Sequence, residues 1–91
     1  GERASHLWKS LGLHVRCSSQ QCHVLAMLCE MNDIDKAEVM AHRIASNKLT
    51  KDTIAVEAMG YLNTIRAAMK QNMKLKVNRS NGWPFACELS Q

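Results

Sequence analysis

The sequence predicts an all-α fold, a small antiparallel bundle of about four helices with a non-helical C-terminal tail. Apolar side chains recur at every third or fourth position in four successive segments, the period of a helix with one buried face. The 91 residues include four Gly and one Pro, so few positions interrupt a helix. The connections between the segments are short, which favours antiparallel packing of successive helices.

The first two predicted helices cover about residues 3–15 and about residues 19–31. Ser18 is the expected N-cap of the second, and Gln21 follows it at the spacing of a capping box. The apolar stripe of the first helix consists of Ala4, Leu7, Trp8, Leu11 and Val15. The wide apolar face of the second consists of Val24, Leu25, Leu28, Cys29 and Met31.

The third and fourth predicted helices cover about residues 34–46 and about residues 51–71. Asp33 or Asp35 can cap the third, because a carboxylate accepts hydrogen bonds from the free N–H groups of the first turn. Thr50 is the expected cap of the fourth. The fourth helix is the longest, and its wide apolar stripe predicts contact with more than one other helix. That stripe contains Ile54, Ala58, Tyr61, Leu62, Ile65 and Met69.

The pattern changes after Gln71. Apolar and polar residues alternate over residues 73–78, a period of two that indicates a short extended segment. Helical spacing also continues into this segment, so a frayed end of the fourth helix is the alternative. Pro84 excludes a helix through its surroundings. The expected organisation is one helical domain over residues 1–79 and a tail over residues 80–91 that docks on it.

Composition narrows the class of protein. No apolar run approaches the length of a membrane-spanning helix, so no membrane partner is expected. Cys17, Cys22, Cys29 and Cys87 allow two disulfides, but small disulfide domains carry more Cys and less Met than this chain. We therefore expect reduced thiols and an intracellular protein, cytoplasmic or nuclear. A glycosylation sequon over residues 78–80 keeps secretion as the alternative, and the small core keeps self-association as another.

A hairpin pattern runs through the second and third predicted helices. Leu28, the run Asn-Asp-Ile-Asp-Lys-Ala over residues 32–37, and Ile44 give a short turn followed by a small residue. With these residues, the stretch 19–52 resembles one helical-repeat unit of the tetratricopeptide or pentatricopeptide type. Trp8, Leu11, Gly12 and Val15 are similar to the start of a tetratricopeptide helix. The resemblance implies a scaffold that binds a peptide or single-stranded RNA on a concave face.

No catalytic set, cofactor or metal site is predicted. Five His and Cys residues crowd into residues 14–29, but zinc sites commonly use two compact ligand pairs and the second pair is absent. Cys22 and Cys29 lie seven residues apart on one helix face, where a buried Cys acts as a small hydrophobe. Cys17 follows Arg16 and is the best candidate for a reactive thiol, yet no His and acid can be assigned to it. We therefore expect that the protein is not an enzyme.

The predicted function is a non-enzymatic protein-interaction module of adaptor or regulatory type. The apolar face of the fourth helix and the six methionines of the chain suggest this, because methionine-containing surfaces repack around different partners. The expected partner is a helix or peptide laid along that face. The expected partner-binding residues are Ile54, Ala58, Met59, Leu62, Ile65 and Met69.

The alternative function is nucleic-acid binding by a basic strip near the C-terminus. Residues 58–91 carry five basic side chains and one acidic side chain. A basic surface attracts phosphates, and a neighbouring aromatic ring can stack on a base. A solvated helix end is the simpler explanation, since cations near a helix C-terminus are favourable in any case. The strip consists of Arg66, Lys70, Lys74, Lys76, Arg79 and Trp83.

Overall fold

The structure, a computed structural model, describes residues 19–80 and 85–90 of the chain. Within these residues, three helices are followed by two strands. The elements are α1 (Ser19–Glu30), α2 (Ile34–Ser46), α3 (Asp52–Gln71), β1 (Lys74–Asn78) and β2 (Ala86–Ser90). Helices α1, α2 and α3 are the second, third and fourth predicted helices. The first predicted helix, over residues 3–15, lies outside the described residues.

The prediction of an all-α four-helix bundle with a non-helical tail is wrong, because the described residues contain an antiparallel β-hairpin as well as helices. Leu75 of β1 lies opposite Leu89 of β2, and Val77 lies opposite Cys87. Alternation therefore puts these four side chains on one face of the hairpin. The backbone N–H and C=O groups of each strand form hydrogen bonds with those of the other. This pairing joins residues that are distant in the sequence, so helical periodicity does not reveal it. Of the two alternatives for residues 73–78, the structure has the strand.

Helices α1 and α3 end in the same way. Asn32 and Asn72 follow them in the left-handed conformation, with φ of 56° and 53°. In each case the amide of the next residue donates back to a carbonyl of the last helical turn, at 3.0 Å after α1 and 2.9 Å after α3. This is the Schellman ending, which asparagine tolerates better than most residues. At the other end of α3, the N-cap position is held by Lys51 rather than the predicted Thr50.

The core lies between the α2–α3 hairpin, α1 and the inner face of the β-hairpin. Phe85, the residue before β2, is fully buried, and its ring stacks on Tyr61 with centroids 4.7 Å apart. The Tyr61 hydroxyl donates to the Phe85 carbonyl over 2.5 Å. The core also contains Leu25, Ala26, Cys29, Ala37, Met40, Ala41, Ile44, Ala58, Leu62, Ile65, Ala68, Leu75 and Cys87.

Two polar contacts attach the end of α1 to β1. The Leu75 amide donates to Oδ1 of Asn32 over 2.7 Å, and Nδ2 of Asn32 donates to the Leu75 carbonyl over 3.5 Å. Two nitrogens of the Arg79 guanidinium lie 2.6 Å from one carboxylate oxygen of Glu30. The same asparagine that ends the helix therefore also sets the position of the strand.

Candidate functional site

The six expected partner-binding residues lie on α3, and three of them are buried inside the protein. Ala58, Leu62 and Ile65 belong to the core and have almost no exposed surface. Ile54 is partly buried against the same core. Met59 and Met69 are each 44% exposed. The middle of the stripe is thus covered by the chain itself, and only its two methionines reach the surface.

Two of the five basic residues in the strip form ion pairs with acidic residues. Nε of Arg66 lies 3.6 Å from a carboxylate oxygen of Glu38 on α2, and Arg79 pairs with Glu30. Both pairs are largely exposed, so each contributes at most about 1 kcal/mol to stability. They nevertheless reduce the positive potential that a phosphate would meet at these positions.

Three lysines remain along the strip. Lys70, Lys74 and Lys76 are exposed, and within residues 19–80 and 85–90 none of them forms an ion pair. Lys76 lies directly opposite Glu88 in the hairpin, so an acidic residue neighbours it across the strands. Trp83, the proposed stacking ring, lies outside the described residues.

The predicted apolar face of α1 is wider than the protein's own core covers, and its exposed part was not expected from the sequence. Val24, Met27, Leu28 and Met31 follow one another at i, i+3, i+4 and i+7, which places them on one side of the helix. Met31 continues the helical turn, because its amide donates to the Met27 carbonyl over 3.0 Å. Met27 is 53% exposed and Met31 is 68% exposed, while Val24 and Leu28 are partly buried against the core. We call these four residues the α1 stripe.

The charge pattern of the helices is the signal that could have revealed the α1 stripe. Helix α1 carries one charged residue, Glu30, at its last position, and this residue pairs with Arg79. Helices α2 and α3 each carry several charged residues spread along their lengths. A surface helix normally has a charged outer face. On α1 the exposed side has the polar Gln20 and His23 near its start and the apolar Met27 and Met31 near its end. An apolar segment on the outer side as well as on the inner side is typical of a helix with two packing partners.

The pKa of Tyr61 is strongly shifted, but the role of this residue is structural. Burial and, to a smaller extent, repulsion of the phenolate by the nearby Glu57 carboxylate together raise the pKa of Tyr61 to about 12. Its hydroxyl is occupied by the Phe85 carbonyl. The group is therefore a hydrogen-bond donor at neutral pH and has no proton to exchange with a substrate in that range.

Two kinds of feature were looked for in the part of the chain that the structure describes, a cluster of metal-ligating side chains and a membrane-spanning helix. There, no three His, Cys, Asp or Glu side chains are close enough to hold a metal ion. None of the described helices combines the length and the apolar character needed to cross a bilayer.

The comparisons with known proteins give no family. No protein-family model matches this chain. Searches of curated proteins and of solved structures also find no significant match.

Proposed function

We propose that this chain is a non-enzymatic protein-interaction module, and that the α1 stripe receives an amphipathic helix of a partner protein. The observation that carries the proposal is the exposure of Met27 and Met31 on one face of a helix that has no charged residue on that face. Exposed apolar patches of this kind typically mark binding surfaces.

The chemistry of the stripe suits a helical partner. The side chains at i, i+3, i+4 and i+7 form a ridge about two turns long, which matches the apolar face of another helix. Met27 and Met31 have flexible, polarisable side chains that adapt to the shape of the partner. The two inner residues, Val24 and Leu28, are held against the core, so the ridge is already ordered before binding.

The charge of the chain selects among helical partners. The chain carries 12 basic and 8 acidic residues and a net charge of +4. At long range the net positive charge of the chain therefore attracts a partner helix that has glutamates beside its apolar face and repels a lysine-rich one. The occupant we propose is an amphipathic helix with an acidic flank.

The test uses the full chain and a fluorescein-labelled synthetic helix that has leucines on one face and glutamates elsewhere. Fluorescence anisotropy should show saturable binding. The affinity should fall slightly as salt screens the electrostatic attraction, and the apolar part of the binding should persist. The double substitution Met27→Asp/Met31→Asp should weaken binding at least about tenfold, because it removes apolar contact and places two carboxylates against an acidic helix.

The matched control is Val56→Asp. Val56 is 70% exposed on α3, outside the α1 stripe, and its substitution should leave the affinity unchanged. Absence of saturable binding to the wild-type chain would refute the proposal, and so would equal losses in the two variants. If the double substitution lowers the free energy of unfolding of the unbound chain by several kcal/mol, the stripe is covered by the chain itself. Light scattering that shows a dimer disrupted by the same substitution would instead identify a second copy as the occupant.

A second candidate function, nucleic-acid binding, is favoured by the exposure of Lys70, Lys74 and Lys76 without an ion pair among the described residues. Binding to a labelled single-stranded RNA should then weaken steeply between low and moderate salt. The substitution Lys74→Glu/Lys76→Glu should abolish it, and Lys48→Glu, at an exposed lysine between α2 and α3, should not. A flat salt response excludes this function.

A further inference from the structure

Two buried cysteines from distant parts of the chain are brought together where α1 meets the β-hairpin. Glu30 contacts Arg79, and Asn32 contacts Leu75. Val77 lies between Leu75 of β1 and Arg79, which follows the strand, and its partner across the hairpin is Cys87. Cys29, the residue before Glu30, is buried in the same cluster as Cys87. The two polar contacts of α1 therefore align Cys29 with the strand that carries Cys87.

The two thiols are neighbours in the core. Both side chains are buried in one cluster, and each shifts the pKa of the other. Both residues are free cysteines in this structure, and both are buried. Such proximity is a prerequisite for a disulfide, which needs the two Cβ atoms within about 4.5 Å of each other.

Helix geometry excludes the neighbouring cysteine from this pair. Cys22 lies seven residues before Cys29 on α1, which separates their Cα atoms by about 10 Å. A disulfide requires Cα atoms within about 7 Å. Cys22 is therefore unable to cross-link to Cys29 while α1 is intact.

We propose that Cys29 and Cys87 form an oxidation site that hydrogen peroxide converts to a disulfide joining α1 to β2. The proposal stands on the Glu30–Arg79 and Asn32–Leu75 contacts, the register of the hairpin and the proximity of the two thiols. It does not depend on the proposed function of the α1 stripe.

The chemistry begins at Cys87. The neighbouring Cys29 thiol lowers the pKa of the Cys87 thiol, and Cys87 together with burial raises the pKa of Cys29. Cys87 therefore ionises first and is the nucleophile. It also lies on β2, in a two-stranded sheet, where local opening of the strand admits a small oxidant.

The reaction balances in two steps. In the first, the Cys87 thiolate attacks one oxygen of hydrogen peroxide, the O–O bond breaks, and the departing hydroxide takes up a proton to become water. In the second, Cys29 sulfur attacks the sulfenic sulfur of Cys87, the S–O bond breaks, and the hydroxyl leaves as water with the proton from Cys29. Two thiols lose two electrons, and one peroxide is reduced to two waters.

The test treats the full chain with increasing hydrogen peroxide, alkylates the remaining thiols and digests the protein with trypsin. Cleavage after Arg16, Lys36 and Arg79 separates a peptide over residues 17–36 from one over residues 80–91. Oxidation should join these two peptides, with the loss of two hydrogen atoms, and fragmentation should place the link at Cys29. Dithiothreitol should reverse it. The oxidised chain should also melt at a higher temperature than the reduced chain, because the link constrains the unfolded state.

Alanine variants complete the test. Cys29→Ala and Cys87→Ala should each lose the linked peptide, and Cys22→Ala should keep it. Because fragmentation locates the link in the wild-type chain, the result stands even if a variant folds poorly. A link from Cys87 to Cys17 or Cys22 overturns the proposal. It is also overturned if the reduced thiols survive peroxide that oxidises an unfolded control chain, or if oxidation stops at a single sulfenic or sulfinic acid.

Discussion

Helices α1 and α3 carry apolar stripes of the same period, yet the protein uses them differently. The middle of the α3 stripe, with Leu62 and Ile65, is almost completely buried by packing within the chain. The α1 stripe ends in Met27 and Met31, which are more than half exposed. Helix α3 is joined to the rest of the described chain by burial, whereas the outer side of α1 has no comparable cover there.

This difference shows that periodicity identifies an apolar face without identifying what packs on it. Both stripes would be assigned to the core from spacing alone. Position in the fold decides between them: α3 packs between α2 and the hairpin. Helix α1 packs on α2 and β1 with one side, through Leu25, Ala26 and Cys29, and leaves Met27 and Met31 exposed. Function is best sought on the helix whose second face is uncovered.

The largest expected effect tests the comparison directly. Ile65→Ala should lower the free energy of unfolding by about 3 kcal/mol, because it removes buried methyl groups and leaves a cavity. Met31→Ala should change it by less than about 0.5 kcal/mol, because its side chain is mostly in water. Urea unfolding followed by circular dichroism measures both. Equal losses in the two variants would mean that the α1 stripe is as well covered as the α3 stripe.

A smaller effect tests how α1 is attached. Asn32→Ala should cost about 2 kcal/mol, since alanine is strained at φ of 56° and the hydrogen bonds to Leu75 are lost. Asn32→Gly should lower the free energy of unfolding by a smaller amount, because glycine adopts this conformation without strain although the same hydrogen bonds are lost. Amide hydrogen exchange in β1 should increase in both variants. If exchange in β1 is unchanged, Asn32 ends the helix without positioning the strand.

The smallest effect concerns the attachment of α3 to the segment that leads into β2. Tyr61→Phe should cost about 1 kcal/mol, because the buried Phe85 carbonyl loses its donor. Because the pKa of Tyr61 is raised to about 12 in the folded state, its contribution is complete below pH 10 and is lost as the pH rises from 10 to 12. Unfolding measured across this window should therefore show a decline in the wild-type chain that is reduced in Tyr61→Phe. An identical decline in both would assign it to other groups.

Helix positions were predictable because their causes are local. The third predicted helix, 34–46, has the observed bounds of α2, and the fourth begins at Asp52 rather than at residue 51. The pairing of the two strands was not predictable. The alternation over residues 73–78 is visible in the sequence, but the partner strand lies further along the chain, after Pro84. Short apolar segments separated in this way give no local sign of their register.

The candidate site was predictable in kind and not in place. Apolar stripes are readable from the sequence, so a surface for an apolar partner could be expected. The placement on α3 was based on the wide apolar face of that helix and on the six methionines of the chain. In the structure, α2, Phe85 and the hairpin cover the middle of that face, whereas Met27 and Met31 stay exposed.

The amino-acid sequence alone determined which segments form helices and which faces of those helices are apolar, since both follow from contacts between residues three or four positions apart. Tertiary structure alone decided which apolar face is buried, how the two strands pair, and that Cys29 lies beside Cys87 in the core. Those outcomes depend on residues far apart in the chain, whose meeting is governed by the packing of the whole core.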